Sequence, residues 1–289
     1  MKLTRHWLPY HMQIHSSLRS LVHCNTRGQY VVSLRARNAK GEILQEHRLN
    51  HGEPITGVSS MMLDYAVFEA CMKASVEGSI ETTFLSDAPC GDVCSYYQGS
   101  RGFTSFLNNA LPSLNHSNRP HRYRGFSVHL VTPAVRTCGL VVMNISTDIG
   151  YSRGASFQYE LLNKQGEVVQ TGSQQIAPFG SCWLAINEGL LKKNGEAMYT
   201  MFGRCDGSAL MSFIYTVMEG GGLGIEHTQP PQSQLNYGED LTPGVRHRYL
   251  RMRERLARKM RYRFNRFDDH PVMTLRPSGW KRISSVKKS

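Results

Sequence analysis

Residues 31–45 read VVSLRARNAKGEILQ, and residues 156–170 read SFQYELLNKQGEVVQ. Set 125 positions apart, the two stretches bring Asn38 onto Asn163, Gly41 onto Gly166, Glu42 onto Glu167 and Gln45 onto Gln170. In each, an Asn-x-x-Gly-Glu turn separates two runs that alternate apolar and polar residues. Alternation with a period of two marks a half-buried strand, and glycine supplies the positive φ of a tight hairpin turn. Phe157, Tyr159 and Leu161 alternate ahead of the second turn, and Val168 and Val169 follow it. Both stretches therefore read as β-hairpins built to one plan.

The correspondence continues outward in the same order. GVSSMML (57–63) matches GSCWLAI (180–186), GSIETTFLS (78–86) matches GEAMYTMFG (195–203), and GSRGFTS (99–105) matches GGLGIEH (221–227). Ordered landmarks of this kind are the mark of an internal duplication. Further strands are expected at 79–86, 92–97, 127–132, 139–144, 181–186, 196–202 and 209–217. Short strands with turn signals between them predict a mainly β chain of two tandem, duplicated sandwiches, with an architectural likeness to the immunoglobulin and fibronectin types. MMLDYAVFEACMKAS (61–75) and WLAINEGLLKKN (183–194) tolerate helix, which a short crossover in each sandwich would explain.

Boundaries follow from composition. Residues 1–19 read as an N-terminal extension, 20–106 as the first sandwich and 125–228 as the second. The Asn/Pro/Ser-rich stretch 107–124 and the Pro-rich stretch 229–244 read as linkers, and 245–289 as a basic helix and tail. His116, Arg119, His121, Arg122 and Arg124 are read as part of the first linker.

Charge separates the last segment from the rest. The 289-residue chain has 34 Lys+Arg and 22 Asp+Glu, a net of +12. Residues 241–289 hold 15 of the basic residues against Glu254, Asp268 and Asp269, leaving 19 of each sign in 1–240. The body is neutral and the tail carries the whole excess. Within it, GVRHRYLRMRERLARKMRYRFNRF (244–267) contains no proline. On a helix, Tyr249, Met252, Leu256, Met260, Phe264 and Phe267 fall on one apolar stripe. The same segment carries Arg246, Arg248, Arg251, Arg253, Arg255, Arg258, Lys259, Arg261, Arg263 and Arg266. Cations this dense repel one another within a Debye length of about 8–10 Å, so an anionic partner stabilises the helix. An acidic membrane surface or an acidic protein groove would take both faces. Nucleic acid would take the arginines alone. A helix docked on its own sandwich with solvated arginines is the plainer reading.

No apolar run of about 18 residues predicts a membrane span, and Arg5, His6, His11 and His15 interrupt any leader-like stretch. Seven cysteines, an odd number in a chain of this length, point to a reducing cytoplasmic setting, membrane-peripheral through the tail. Cys90 and Cys94 lack the second ligand pair of a structural zinc site and read as ordinary thiols. No metal and no cofactor are expected.

Glu226 and His227, in a cluster that follows Gly220-Gly221-Gly222, are the sharpest candidates for metal binding or general-base chemistry. A strand-end turn explains them as well. No phosphate-binding loop or nucleophile elbow occurs. The expected function is a non-enzymatic binding or scaffold protein recruited to an anionic surface by its tail. The alternatives are a glycan-active or metal-dependent sandwich enzyme using Glu226 and His227, and nucleic-acid binding through the tail. The small-molecule substrate of such an enzyme is not specified by the sequence.

Overall fold

The computed structural model describes residues 2–88, 93–99, 101–108, 126–131, 135–146, 148, 150–163, 165–186, 189–190, 198–206, 208 and 210–227. Cys90, most of the first linker, and the entire 245–289 segment with its stripe and basic residues lie outside the described residues.

The first half contains β1 (Lys2–His11), β2 (Ser17–His23), β3 (Gln29–Asn38), β4 (Ile43–Arg48), β5 (Ile55–Thr56) and β6 (Ser60–Asp64). A 3-10 turn at Tyr65–Phe68 and α1 (Glu69–Ser75) lead into β7 (Glu77–Ser86), β8 (Val93–Gly99) and β9 (Gly102–Asn108). The second half contains β10 (Phe126–Val131), β11 (Val135–Met143), β12 (Ala155–Leu162) and β13 (Val168–Ile176). It continues with β14 (Ser181–Ala185), β15 (Met198–Asp206), β16 (Met211–Met218) and β17 (Leu223–His227).

These strands form four antiparallel sheets. The first half supplies β1-β7-β3-β4, with β5 on β3, and β6-β2-β8-β9. The second supplies β10-β15-β12-β13 and β14-β11-β16-β17. The strand orders match position for position, β5 aside. Each pair of sequence landmarks falls in strands that hold the same place in their sheets. The ambiguous stretch 61–75 is strand first and helix second: Asp64 ends β6 and its carboxylate accepts from Ala66 N at 2.9 Å, opening the helical turn.

The repeated motif has a direct physical role. In the first hairpin Asn38 Oδ1 accepts from the N–H groups of Lys40 and Glu42, both at 3.0 Å, and Nδ2 donates to Glu42 at 2.7 Å. Asn163 does the same with Gln165 and Glu167, at 3.0, 2.9 and 2.9 Å. Gly41 and Gly166 take φ of 83° and 80°. The repeated glutamine closes the open side of each half. Gln45 Nε2 donates to Val67 O at 3.3 Å, and Gln170 Nε2 to Ala185 O at 3.5 Å.

The two hairpins differ in their surroundings. A Cβ on Gly41 would lie 2.2 Å from the carbonyl oxygen of Pro178, whereas one on Gly166 would meet nothing within 4 Å. Gly166→Ala is expected to cost about 1–2 kcal/mol, the left-handed backbone penalty alone. Gly41→Ala is expected to cost about 1–3 kcal/mol more, because a backbone carbonyl must also move. Urea unfolding of both variants reads the difference, and equal costs would show that the first hairpin tip is not seated on the second half.

Burial shows how the sheets stack. One core gathers Leu8, Tyr10, Leu18, Val32, Leu34, Phe84 and Tyr97 between the two sheets of the first half. Another gathers Leu140, Val142, Phe157, Leu161, Tyr199 and Met201 in the second. Along β11 the side chains divide: Val141 and Met143 join the first core, Leu140 and Val142 the second. The β14-β11-β16-β17 sheet is therefore covered on both faces. So is β1, where every residue from Arg5 to Tyr10 is buried. The segment expected to be an N-terminal extension is thus an integral strand, paired with β7 along its whole length. Its mixture of Arg, His and aromatic residues hid the strand, because a strand buried on both faces shows no apolar/polar alternation.

Candidate functional site

The junction of the two halves concentrates the buried charge of the described residues. On β1, Arg5, Trp7 and His11 share the face turned to the second half. Their cross-strand partners on β7 are Thr83, Glu81 and Glu77, and Glu81 in turn pairs with Arg35 of β3. Glu81 is fully buried, and Arg5 and Arg37 are exposed by only 4% and 7%. Arg5 Nε donates to Glu81 Oε1 at 2.9 Å, and its Nη2 makes a second bond to the same oxygen. Arg37 donates to Glu81 Oε2 from Nε at 2.9 Å and from Nη2 at 2.7 Å. Arg35 Nη1 stands 3.5 Å from Oε1.

One carboxylate between two buried guanidinium groups leaves an excess of positive charge. Carbonyl oxygens and aromatic faces absorb it. Arg5 Nη1 donates to Ser146 O at 3.0 Å, across the junction, and Arg37 Nη1 to Gly41 O at 2.7 Å. Trp7 and Phe179 stack at 5.5 Å and 12°. Both guanidinium groups lie over these rings, Arg5 at 5.2 Å from each and Arg37 at 4.8 Å from Phe179. Burial pushes the Glu81 carboxyl up, but Arg5 and Arg37 outweigh it and hold it below the ordinary carboxylate range. Phe179 reaches this place with φ of 60°, a strained value for a side-chain-bearing residue.

At the other end of the same face lies a second group of titratable side chains. His11 Nε2 is 3.9 Å from Glu77 Oε2, and the His11 ring packs edge-on against Trp183 of β14 at 5.1 Å. Trp183 in turn leans on Tyr215 at 5.0 Å. Burial lowers the His11 imidazole and raises the Glu77 carboxyl. On the opposite face of β14, burial, with a smaller push from Glu77, drives the Cys182 thiol up to about 11. That thiol is protonated at neutral pH and is a poor nucleophile. Val76, with φ of 66°, sets the start of β7 beside this group. The junction holds two halves in register; its thiol is not activated for chemistry.

The sequence-predicted candidates fall elsewhere. Glu226 is exposed on β17, opposite Ile214, and His227 ends that strand opposite Phe213. The His227 side chain, like the tail, lies outside the described residues. Among the described residues no three His, Cys, Asp or Glu are placed to hold a metal ion. Cys94 is a free thiol on β8. Sequence reasoning missed Arg5, Arg37 and Glu81. A signal was present in LRARN (34–38), where arginines at a spacing of two must share one face of a strand.

No family model and no curated protein matches the chain. Among solved structures it is similar to Streptomyces avermitilis alpha-L-rhamnosidase complexed with L-rhamnose, at 9% identity over 79% of this chain with TM-score 0.22. It spans about a quarter, 26%, of that chain's length. It is also similar to A223, a turret protein in Sulfolobus turreted icosahedral virus, at 13% identity and TM-score 0.19, covering 79% of this chain and 100% of that one. The Pleurotus ostreatus lectin stands at 12% and 0.18, covering 79% and 75%. Similarity at this level carries no argument about function.

Proposed function

We propose that the chain is a binding or scaffold protein. Its body is a duplicated pair of immunoglobulin-like sandwiches, and its basic segment 245–289 folds as an amphipathic helix that recruits it to an anionic membrane surface. The observation that carries this reading is the segregation of charge. Residues 1–240 balance 19 cations with 19 anions, and the tail bears all of the +12 excess. A neutral body has no general attraction to polyanions, so the attraction belongs to one detachable element. The stripe from Tyr249 to Phe267 gives that element an apolar face for the acyl boundary, and the arginines add about 1 kcal/mol each near an acidic surface.

Co-sedimentation with vesicles of phosphatidylserine and phosphatidylcholine tests the reading. The full chain is expected to bind at low salt and to be released as salt rises. Deleting 245–289 is expected to abolish binding and leave a folded body. Replacing Leu256 and Met260 with Asp is expected to do the same while keeping most of the positive charge. A full chain that ignores acidic vesicles but binds nucleic acid tightly would overturn the membrane reading in favour of nucleic-acid recognition.

A further inference from the structure

We propose that the outer face of the β6-β2-β8-β9 sheet is the seat of the chain's own basic segment: away from a membrane, residues 245–267 lay their apolar stripe on Met62, Leu21 and Cys94. This adds a resting place, and so a means of regulation, to the proposed recruitment, and rests on that reading only for the helix over 245–267.

The duplicated plan shows how this face is used. Cys24 N donates to Ser59 O, and Asn144 N to Gly180 O, both at 2.9 Å, which sets the two halves in register. Three residues in from these bonds, Met62, Leu21 and Cys94 stand side by side across the first-half sheet. Trp183, Val141 and Phe213 stand in the same places in the second-half sheet. In the second half that row lies in the junction: Val141 and Phe213 are fully buried, and Trp183 packs against His11. In the first half the row lies partly open among the described residues. Met62 is 58% exposed, and Leu21 and Cys94 are half-buried. The next row repeats the contrast, with Tyr96 half-buried where Tyr215 is buried. Arg19 and Asp64, in that same row, neutralise each other at 3.0 Å.

The chain's own tail is placed to cover this face. The described residues end at His227 on β17, which runs beside β9, the outer strand of the sheet. A Cβ on Gly99, at the end of β8, would lie 3.2 Å from Leu223 Cβ. From there residues 228–244 lead to the basic segment and, as a flexible chain, reach about 20–25 Å. Four strands about 4.8 Å apart span about 15 Å, so the tether crosses the sheet. The stripe from Tyr249 to Phe267 is apolar surface that wants a partner, and the row of Met62, Leu21 and Cys94 supplies one. Tethering holds the stripe at an effective concentration of about 1 mM, so a contact with a Kd of about 100 μM is closed roughly nine-tenths of the time. An acidic membrane draws the segment off, because phosphate groups meet the arginines there while the acyl boundary takes the stripe.

Alkylation of Cys94 by N-ethylmaleimide, read peptide by peptide by mass spectrometry on the lipid-free full chain, tests the proposal. Leu256→Asp with Met260→Asp is expected to speed Cys94 labelling about tenfold and to leave Cys71, on α1, unchanged. Met62→Gln weakens the seat without adding charge. It is expected to speed Cys94 labelling too, and to tighten binding to phosphatidylserine vesicles by up to about tenfold, because the stripe is no longer held back. Unchanged thermal melts would show that both variants fold. Adding acidic vesicles to the wild-type chain is expected to expose Cys94. Equal Cys94 labelling in wild type and the Asp variant would overturn the proposal, as would a Cys94 that stays protected on vesicles. Protection that grows with protein concentration would overturn it in favour of a second copy on this face. Protection without any vesicle binding would uphold the seat and overturn the recruitment reading instead.

Discussion

Replacing Glu81 with Gln is expected to lower the melting temperature of the protein by roughly 10 °C, the largest effect of any single polar substitution in the body. The variant is nearly isosteric, so the loss comes from charge. Arg5 and Arg37 would remain buried with no anion between them. Removing one partner of a buried ionic group costs about 3–5 kcal/mol, because the remaining charge is left uncompensated. For a chain of this size each kcal/mol moves the melting temperature by about 2–4 °C. The net worth of the cluster is a different quantity. Converting Arg5, Arg37 and Glu81 together to Met, Met and Leu is expected to restore most of the stability, since apolar packing often replaces a buried ion group at little cost. Differential scanning calorimetry separates the two. A Glu81→Gln melt within about 2 °C of wild type would show that the junction does not depend on this carboxylate.

Mild acid is expected to destabilise the first half well before the carboxylates titrate. Burial lowers His6 and His15 from 6.5 to about 4. His6 lies edge-on to Phe84 at 5.4 Å, and neither of its ring nitrogens has a hydrogen-bond partner among the described residues. His15 accepts the His11 N–H at Nε2 and lies against Tyr97. Both rings are neutral in the folded protein, so the unfolded chain takes up protons first. Their stabilisation is complete above pH 6.5 and is lost as pH falls toward 4, by about 3 kcal/mol for each ring. Glu81, held below its usual value, adds a separate loss below about pH 4.5. Glu77, raised by burial, acts in the opposite sense above that pH. His6→Phe preserves an aromatic ring and gives up no hydrogen bond to the described residues. Urea titrations from pH 7 to pH 4 should show a slope smaller by about one proton in that variant. Identical slopes would mean that His6 is not the group that charges.

The fold was legible in the sequence where local chemistry decides the structure. Asn38 and Gly41, with their counterparts Asn163 and Gly166, fix their turns through bonds within five residues, and the same bonds appear in both hairpins. The strand–helix ambiguity at 61–75 was real, since the segment contains both. The junction was not legible, because its chemistry lies between residues far apart in the chain. Arg5 looks like a charge that breaks an apolar run until Glu81 and Ser146 stand beside it. Equally, Phe179 is an unremarkable loop aromatic until Trp7 stacks on it. Glu226 stood out because its neighbours are polar, a property that an exposed strand end shares with an active site.

The burial of β1 on both faces also bears on how the chain acquires its shape. Arg5 closes contacts with Glu81, 76 positions away, and with Ser146, 141 positions away. Such separations make a slow, entropically costly closure. At the usual pace of synthesis, about 5–20 residues per second, β1 waits roughly 7–30 s on the ribosome for the partners of its outer face. Through that interval Trp7 has no ring to stack on, and Arg5 has at most one of its acceptors. This strand, buried on both faces, is therefore made before the described residues that cover it.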